Sequence, residues 1–306
     1  MPSNRTMVIA GGAGYLGRAL SAALAARGDR VIILARGSGT SVPGAEVVQW
    51  DGASVGAWAT SVDGADAVIN LAGRSVNCRY TAANREAIYR SRLRPTAAIG
   101  AAIRRAARPP AVWLNASSAT IYRDVRDREM DELTGEIGSG FSVDVCKRWE
   151  AALDAAQTPQ TRKVALRSAM VFGPGKSGVL EPFVNIARLG LGGPMAGGGQ
   201  YVSWIHLEDF IGATLWLLDR GDLSGPVNLT APNPLPNREF LAALRHALGV
   251  PLGLPSARWM LELGAMALGT ETELLLKSRR VVPTRLLASG FRFAHPTWRE
   301  AARALV

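Results

Sequence analysis

A glycine pattern near the start of the chain could bring the backbone into contact with a nucleotide. Its spacing is GxxGxxG, in the run Gly11-Gly12-Ala13-Gly14-Tyr15-Leu16-Gly17. In such a turn between a strand and a helix, Gly11 permits the tight bend, Gly14 lets the backbone approach a pyrophosphate, and Gly17 allows close helix–strand packing. The helix, which begins near Tyr15 and Leu16, offers free N–H groups and the positive end of its dipole to the phosphates. The pattern therefore predicts a dinucleotide site.

The end of the second predicted strand distinguishes between two dinucleotides. An acidic residue there would bind the ribose 2′-hydroxyl of NAD. This chain has Leu34-Ala35-Arg36 instead, and a guanidinium can bind a 2′-phosphate through two hydrogen bonds. Arg36 therefore favours NADPH over NADH, with a simple exposed arginine as the alternative interpretation.

The elements that must position these residues alternate along the first half of the chain. Short apolar runs predict strands, and stretches with helical spacing separate them; the strands are expected at 6–10, 30–35, 46–50, 67–71, 111–115 and 163–167. A long helical stretch at 81–107 contains Pro95, which we expect to begin a second helix. Continuous apolar strands alternating with helices indicate an α/β fold, a doubly wound parallel sheet covered on both faces.

The character of the sequence changes after about residue 170. Two stretches rich in glycine or proline, at 173–178 and 190–199, flank a predicted helix, and several further helical segments follow. We therefore expect an NADPH-binding domain over residues 1–170 and a smaller, mostly helical substrate lobe over residues 171–306. An apolar pocket containing Phe183, Met195, Trp204 and Trp259 would suit a flat substrate, with packing in the core as the more frequent role of such residues.

Two further segments and one aspartate resemble the extended, atypical short-chain dehydrogenases/reductases. Asn70-Leu71-Ala72-Gly73 is similar to the family's NLAG segment, and the run from Ala116 to Tyr122 is similar to its SSSATVY segment. The resemblance implies that Leu71, Ala72 and Gly73 lie along the cofactor and that Asp51 contacts adenine. It places Ser118 on the family's catalytic serine, with Ser117 and Tyr122 as neighbouring candidates.

A narrower resemblance is to epimerase-family proteins that are described as nucleoside-diphosphate-sugar epimerases or cell-division inhibitors. Its matching pieces are spread over most of the chain, at 91–92, 188–194, 204–206, 282–283 and 288–291. This resemblance implies that Arg92 and Val171 lie close to the cofactor.

The proton-transfer pair of the short-chain family, Tyr-x-x-x-Lys, is missing from this sequence. Phe141 stands where the tyrosine is expected, Val145 or Cys146 stands near the lysine position, and Lys147 is out of register. In this absence the chain is similar to atypical ketoreductases such as the one that acts on the angucyclinone of simocyclinone biosynthesis. Sugar epimerisation begins with an oxidation that needs a general base, whereas a reactive ketone can be reduced without the roughly 10²–10⁴-fold help of a general acid.

The sequence thus predicts an NADPH-dependent ketoreductase whose substrate is a small-molecule ketone, with an aromatic polyketide as the suggested class. Two alternatives stay open: a nucleotide-sugar epimerase or dehydratase, and a non-catalytic NADPH-binding regulator. The oligomeric state is not determined by the sequence.

The composition argues against several other kinds of partner and site. The net charge of +10 is spread over the chain without aromatic-interleaved basic stretches, so we expect no nucleic-acid partner. No run approaches the roughly 18 apolar residues of a spanning helix, and we expect no membrane partner. Three histidines without ligand spacing predict no metal site, and two cysteines suit a reducing cytoplasm.

Overall fold

Seven parallel strands form the central sheet of the protein. The structure is a computed structural model that describes residues 4–124, 126–175, 178–267 and 269–306. The strand order is β10-β6-β5-β4-β1-β2-β3, with β1 Thr6–Ala10, β2 Arg30–Ala35, β3 Ala45–Gln49, β4 Ala67–Asn70, β5 Val112–Ser118, β6 Arg162–Ser168 and β10 Gly225–Leu229. The predicted doubly wound sheet is confirmed.

Helices cover both faces of this sheet, because its strands are apolar on both sides. In β1, Met7 and Ile9 enter one core while Val8 and Ala10 enter the other. Helices α1 Tyr15–Ala26 and α5 Leu207–Asp219 pack into the first core, and α2 Ala82–Arg105 and α3 Phe141–Asp154 into the second.

Helix α2 is continuous through Pro95, so the predicted division at that residue is wrong. A proline inside a helix costs about 3 kcal/mol because it removes one backbone hydrogen bond and crowds the preceding turn. Here Pro95 is itself buried, and Ala98 and Ile99 bury their side chains in the second core. Burial of this helix face offsets the local cost.

The C-terminal half of the chain builds a third, largely aromatic core. Its remaining elements are β7 Met170–Phe172, α4 Leu180–Arg188, β8 Tyr201–Val202, β9 Trp204–His206, β11 Leu235–Pro236, α6 Asn237–Ala247, α7 Arg258–Ala267, α8 Glu273–Leu276, α9 Thr284–Ala288 and α10 Trp298–Leu305. Phe172, Trp204, Phe240 and Trp298 meet at the centre of this lobe.

The two halves are not separated at residue 170. Helix α5 packs on the sheet, and β10 extends it by pairing with β6, from Gly225 beside Val164 to Leu229 beside Ser168. The chain therefore returns to the sheet after residue 206, and the division into an NADPH-binding domain and a substrate lobe stays a prediction. Within the described ranges no helix is both long enough and apolar enough to cross a membrane.

Candidate functional site

The glycine turn lies at the carboxyl end of β1, where ligands bind in open parallel sheets. Gly11 has φ +78°, and a Cβ there would lie 2.8 Å from the backbone of Leu71; at Gly17 it would lie 2.4 Å from Cα of Gly12. Gly14 is the N-cap of α1 and provides no capping side chain, and the first turn of that helix has no acidic residue. The free N–H groups are therefore available to an anion, and these residues fit a pyrophosphate.

The segment after β4 lies against this turn. The N–H of Leu71 donates to the carbonyl of Ala10 at 2.8 Å, and the N–H of Ala72 donates to Oδ1 of the buried Asn70 at 3.0 Å. The backbone at Leu71 therefore sits beside the glycines, as the family resemblance implies.

Arg36 and Asp51 follow β2 and β3 at the same edge of the sheet. Arg36 is exposed, and within the described chain no carboxylate lies within 4.0 Å of its guanidinium. Asp51 is tied to its own loop: Oδ1 accepts from the N–H groups of Ala53 and Ser54 at 2.8 and 2.9 Å. The Ser54 hydroxyl and then these N–H groups lower the pKa of Asp51 to about 2. The Asp51 carboxylate orders the loop, and its contact with adenine stays a prediction.

A cavity of about 430 Å³ opens at this edge between the sheet and the lobe. Six of the predicted site residues line it, namely Tyr15, Leu16, Arg92, Ser117, Ser118 and Val171. The glycines of the turn and Arg36 are not part of its lining. Of the predicted apolar pocket residues, Phe183 lines the cavity, whereas Trp204 and Met195 are in the lobe core and Trp259 is 63% exposed. The suggested pocket role thus holds for Phe183, whereas Met195 and Trp204 have the alternative role in the core.

Ser118 offers a hydroxyl group at the sheet side of the cavity. It ends β5, its Oγ donates to Oγ1 of Thr120 at 3.0 Å, and it accepts from the N–H of Thr120 at 3.2 Å. Ser117 also lines the cavity, but its hydroxyl donates to Oε1 of Glu150 at 2.6 Å. The bond from Ser117 to a carboxylate is stronger than the bond from Ser118 to a hydroxyl, so Ser118 is the easier of the two to redirect to a ligand oxygen.

Tyr122 does not reach the cavity, so its predicted catalytic role is not supported by its position. It is 1% exposed, its hydroxyl donates to Oδ1 of Asn228 at 2.9 Å, and it accepts from Nη1 of Arg167 at 2.9 Å. The turn Ala119–Ile121 directs its ring into a core beneath the site. Burial raises the pKa of Tyr122, which keeps the phenol protonated.

A buried ion pair supports the serine segment from below. Arg167, 8% exposed, donates through Nε and Nη2 to the two carboxylate oxygens of Glu150 at 2.8 and 2.7 Å. Burial by itself disfavours the guanidinium charge, but the bidentate pair outweighs it and raises the pKa of Arg167. The pair links Ser117 to Tyr122 and holds the end of β5 in place.

The start of α3 faces the cavity with an aromatic ring instead of a phenol. Phe141 lines the cavity and packs edge-on against Tyr80, with ring centroids 4.7 Å apart. Ser142 donates to Oε2 of Glu273 at 2.6 Å, and Lys277 donates to Oε1 of the same carboxylate at 2.6 Å. Sequence reasoning missed Tyr80, Glu273 and Lys277, since nothing local in the chain brings residues 80, 142 and 273 together.

Arg92 lies on α2 at the junction of the cavity and the cofactor edge. Its Cζ is 5.1 Å from the ring centroid of Trp149, and a side chain at Gly73 would meet that Cζ at 3.5 Å. Burial lowers the pKa of Arg92. The neighbouring Cys146 is buried, and burial followed by the charge of Glu150 raises the pKa of its thiol to about 12. Cys146 is therefore an inert wall residue.

A second group of polar side chains lies at the N-terminus of α5. The ligand atoms of His206, Glu208 and His295 lie within 4.8 Å of one another and could hold a metal ion. Sequence spacing did not predict this group, because His295 is far from the other two along the chain. Nδ1 of His206 accepts from the N–H of Glu208 at 3.2 Å, and burial followed by the charge of His295 lowers the pKa of His206 to about 4.

Known proteins are similar to this chain in sequence. A sequence model of the NAD dependent epimerase/dehydratase family matches residues 7–229, and one of a domain of unknown function matches residues 257–305. An epimerase family protein of Mycobacterium bovis is 35% identical over 302 residues, which cover 98% of this chain and 97% of the relative.

Two solved structures extend the comparison. The human epimerase family protein SDR39U1, solved with NADPH, is 30% identical with a TM-score of 0.86, and the match covers 98% of both chains. A nucleoside-diphosphate sugar epimerase from Corynebacterium glutamicum is 27% identical with a TM-score of 0.77, covering 98% of this chain and 57% of that one. The resemblance to the angucyclinone ketoreductase stays a prediction. The family match over residues 7–229 and the 35% identical relative show that the chain belongs to the NAD dependent epimerase/dehydratase family.

Proposed function

We propose that this protein binds NADPH and reduces the ketone of a small molecule in the cavity. The glycine turn, which has no acidic residue, supports a bound pyrophosphate, and the exposed guanidinium of Arg36, without an ion pair among the described residues, supports a 2′-phosphate. The human relative solved with NADPH supports the same cofactor. When bound, NADPH would supply a hydride to the carbonyl carbon; a proton from solvent on the oxygen completes the alcohol, leaving NADP⁺.

The observation that carries the reaction type is Phe141 in place of a phenol at the start of α3, in a cavity that retains Ser118. Oxidation of a sugar hydroxyl needs a base at that position, and a phenyl ring cannot accept a proton. Reduction of a ketone needs a hydrogen-bond donor to the oxygen on which negative charge develops. Ser118 supplies that donor.

The walls of the cavity favour a flat aromatic substrate. Tyr80, Phe141, Trp149, Phe183 and Tyr201 all line it. An aromatic ketone with a neighbouring phenol, as in aromatic polyketides, has an internal hydrogen bond that polarises its carbonyl. Such a substrate would itself provide what the missing tyrosine provides elsewhere.

Turnover with a ketone panel tests the proposal. Purified protein is mixed with NADPH and aromatic ketones, with and without an adjacent phenol, and loss of the reduced-nicotinamide absorbance is followed together with product mass. We expect a product two hydrogen atoms heavier than the ketone. Ser118→Ala should lower the rate by about 100-fold, the typical cost of one oxyanion donor. The control Ser224→Ala, at an exposed serine before β10, should leave it unchanged.

A nucleotide-sugar epimerase is the second candidate, favoured by the likeness to the Corynebacterium glutamicum protein. It is tested in the same assay with nucleotide sugars and NAD. Epimerised sugar without net reduction of NAD would replace the ketoreductase proposal. Tight NADPH binding without turnover of any ketone or sugar would favour the non-catalytic regulator.

A further inference from the structure

The charges that line the cavity are not balanced. Four charged side chains line it: the carboxylate of Glu273 and three cations, Arg92, Lys277 and Arg279. Lys277 and Ser142 together occupy both oxygens of the Glu273 carboxylate, each at 2.6 Å. Among the described residues, no carboxylate lies within 4.0 Å of either arginine. Two guanidinium groups that line the cavity therefore make no ion pair with any described residue.

The two arginines lie on different walls of the cavity. Arg92 projects from α2 beside Gly73, the position that follows the cofactor strand β4, so its charge faces the cofactor side. Arg279 comes from the segment after α8, within the C-terminal region that matches a domain of unknown function. It lines the cavity together with the lobe residues Tyr201 and Lys277, so we assign it to the substrate side.

The backbone of Arg279 is held in place by neighbouring strands. Its N–H donates to the carbonyl of Tyr201 at 2.9 Å, and its carbonyl accepts from the Ser203 hydroxyl at 2.7 Å. Tyr201 and Ser203 both line the cavity. The side chain therefore extends from a fixed anchor, which lowers the entropy lost when it binds a ligand.

The guanidinium of Arg279 has few partners of its own. Nη1 donates to the carbonyl of Ser278 at 3.0 Å, and Nε is buried with no hydrogen-bond partner in the described part of the chain. Burial lowers the pKa of Arg279, and Asp124 and Glu273 act on it only from beyond ion-pair distance. Arg279 as a whole is half-buried, but a buried N–H donor without an acceptor is unfavourable, and a ligand oxygen in the cavity would satisfy it.

We infer that Arg279 binds a carboxylate of the substrate, so that the ketone reduced here is an aromatic keto acid. This inference rests on the proposed ketone reduction. A planar guanidinium matches a carboxylate through two parallel hydrogen bonds, and the aromatic walls accommodate the remainder of the molecule. The neighbouring Arg280 is engaged elsewhere, with Glu129 at 3.5 Å and with the ring of Tyr201 at 4.8 Å. One free guanidinium on the substrate side suits a single negative charge better than a diphosphate.

The test compares acids with their neutral esters. Full-length protein saturated with NADP⁺, which cannot deliver a hydride, is titrated in a calorimeter with phenylglyoxylate, phenylpyruvate and their methyl esters. We expect both acids to bind at least about 10-fold more tightly than their esters, the lower end for hydrogen bonds to a charged group. Arg279→Gln should remove this preference and leave ester binding unchanged, while Arg279→Lys should retain part of it.

The matched control is Arg104→Gln, at an exposed arginine near the end of α2, which should bind acids as the wild type does. Because Arg279 has no ion-pair partner in the described protein, Arg279→Gln should melt no lower than the wild type. Equal binding of acid and ester, or equal weakening of both by Arg279→Gln, overturns the inference. Tighter binding of UDP-glucose than of either acid, lost in Arg279→Gln, would assign Arg279 to a diphosphate and also overturn it.

Failure of this inference and failure of the proposed function give different results. Oxidation of NADPH by the esters without a preference for acids leaves ketone reduction in place and removes the carboxylate subsite. A preference for acids that depends on Arg279, without any NADPH oxidation, retains the subsite and removes ketone reduction.

Discussion

Replacing Arg36 by alanine isolates the contribution of one side chain to the choice of cofactor. The guanidinium is exposed at the end of β2 and makes no ion pair with any described residue. Its removal should therefore leave the stability of the fold unchanged, within about 0.5 kcal/mol for such a surface position. Any loss of cofactor affinity then reports a contact with the ligand itself.

The magnitude follows from the contact that NADPH has and NADH lacks. Hydrogen bonds to a charged group contribute about 1.5–3 kcal/mol, which corresponds to roughly 10- to 150-fold in Kd. Arg36→Ala should weaken NADPH binding by that factor and leave NADH binding nearly unchanged. The difference should shrink as salt is raised, because exposed charges are screened over about 10 Å at 0.1 M.

Dissociation constants for both cofactors are measured by titration of the bound nicotinamide fluorescence. Arg104→Ala removes an equal charge from an exposed position near the end of α2 and is the matched control. Equal weakening of NADPH and NADH by Arg36→Ala would refute the assignment of Arg36 to the 2′-phosphate. So would an effect of Arg104→Ala as large as that of Arg36→Ala.

Three further changes test the structure around the site. Gly17→Ala would place a Cβ 2.4 Å from the backbone of the glycine turn. We expect the free energy of unfolding to fall by about 1–3 kcal/mol and NADPH to bind more weakly. An unchanged melting temperature and an unchanged affinity would contradict this close packing. Glu150→Gln leaves Arg167 buried without its carboxylate partner and should lower the free energy of unfolding in urea by about 3–5 kcal/mol. The double change Glu150→Leu with Arg167→Met removes both charges and should recover most of that loss. An equally unstable double variant would argue against the charge as the cause. Burial, followed by the charge of His295, lowers the pKa of His206 from 6.5 to about 4. As the pH falls, the unfolded chain therefore binds a proton at this histidine before the folded chain does. The stability is complete above about pH 6.5 and decreases between that pH and about 4. His206→Asn should make this decrease shallower in urea midpoints measured across the range, and an unchanged slope would count against the assignment.

The cofactor edge could be predicted from the sequence because its signals are local. The strand β1, the glycine turn and α1 are contiguous in the sequence. The spacing of Gly11, Gly14 and Gly17 predicts where the backbone packs closely against its neighbours. Apolar runs of strand length separated by helical stretches were likewise sufficient for a parallel sheet covered on both faces. At Pro95 the local rule was overridden, because burial of the helix offset the lost hydrogen bond.

The composition of the cavity depended on contacts between distant parts of the chain. Ser142 and Glu273 are 131 residues apart and share a hydrogen bond of 2.6 Å, and Arg279 reaches the same cavity from the C-terminal lobe. Periodicity describes which face of an element is apolar, but it does not specify which lobe residue packs over which strand end.

The burial of Tyr122 could not be predicted from the sequence for the same reason. Its place in the motif after β5 was readable from the sequence, whereas its burial against Arg167 and Asn228 depends on β6 and β10 arriving beneath it. Local sequence was thus sufficient for the fold class and the nucleotide turn, since short-range sterics and hydrogen bonding determine both. The side chains that face the substrate were decided only when the lobe closed over the sheet, since burial and charge pairing across the cavity exist only in the folded chain.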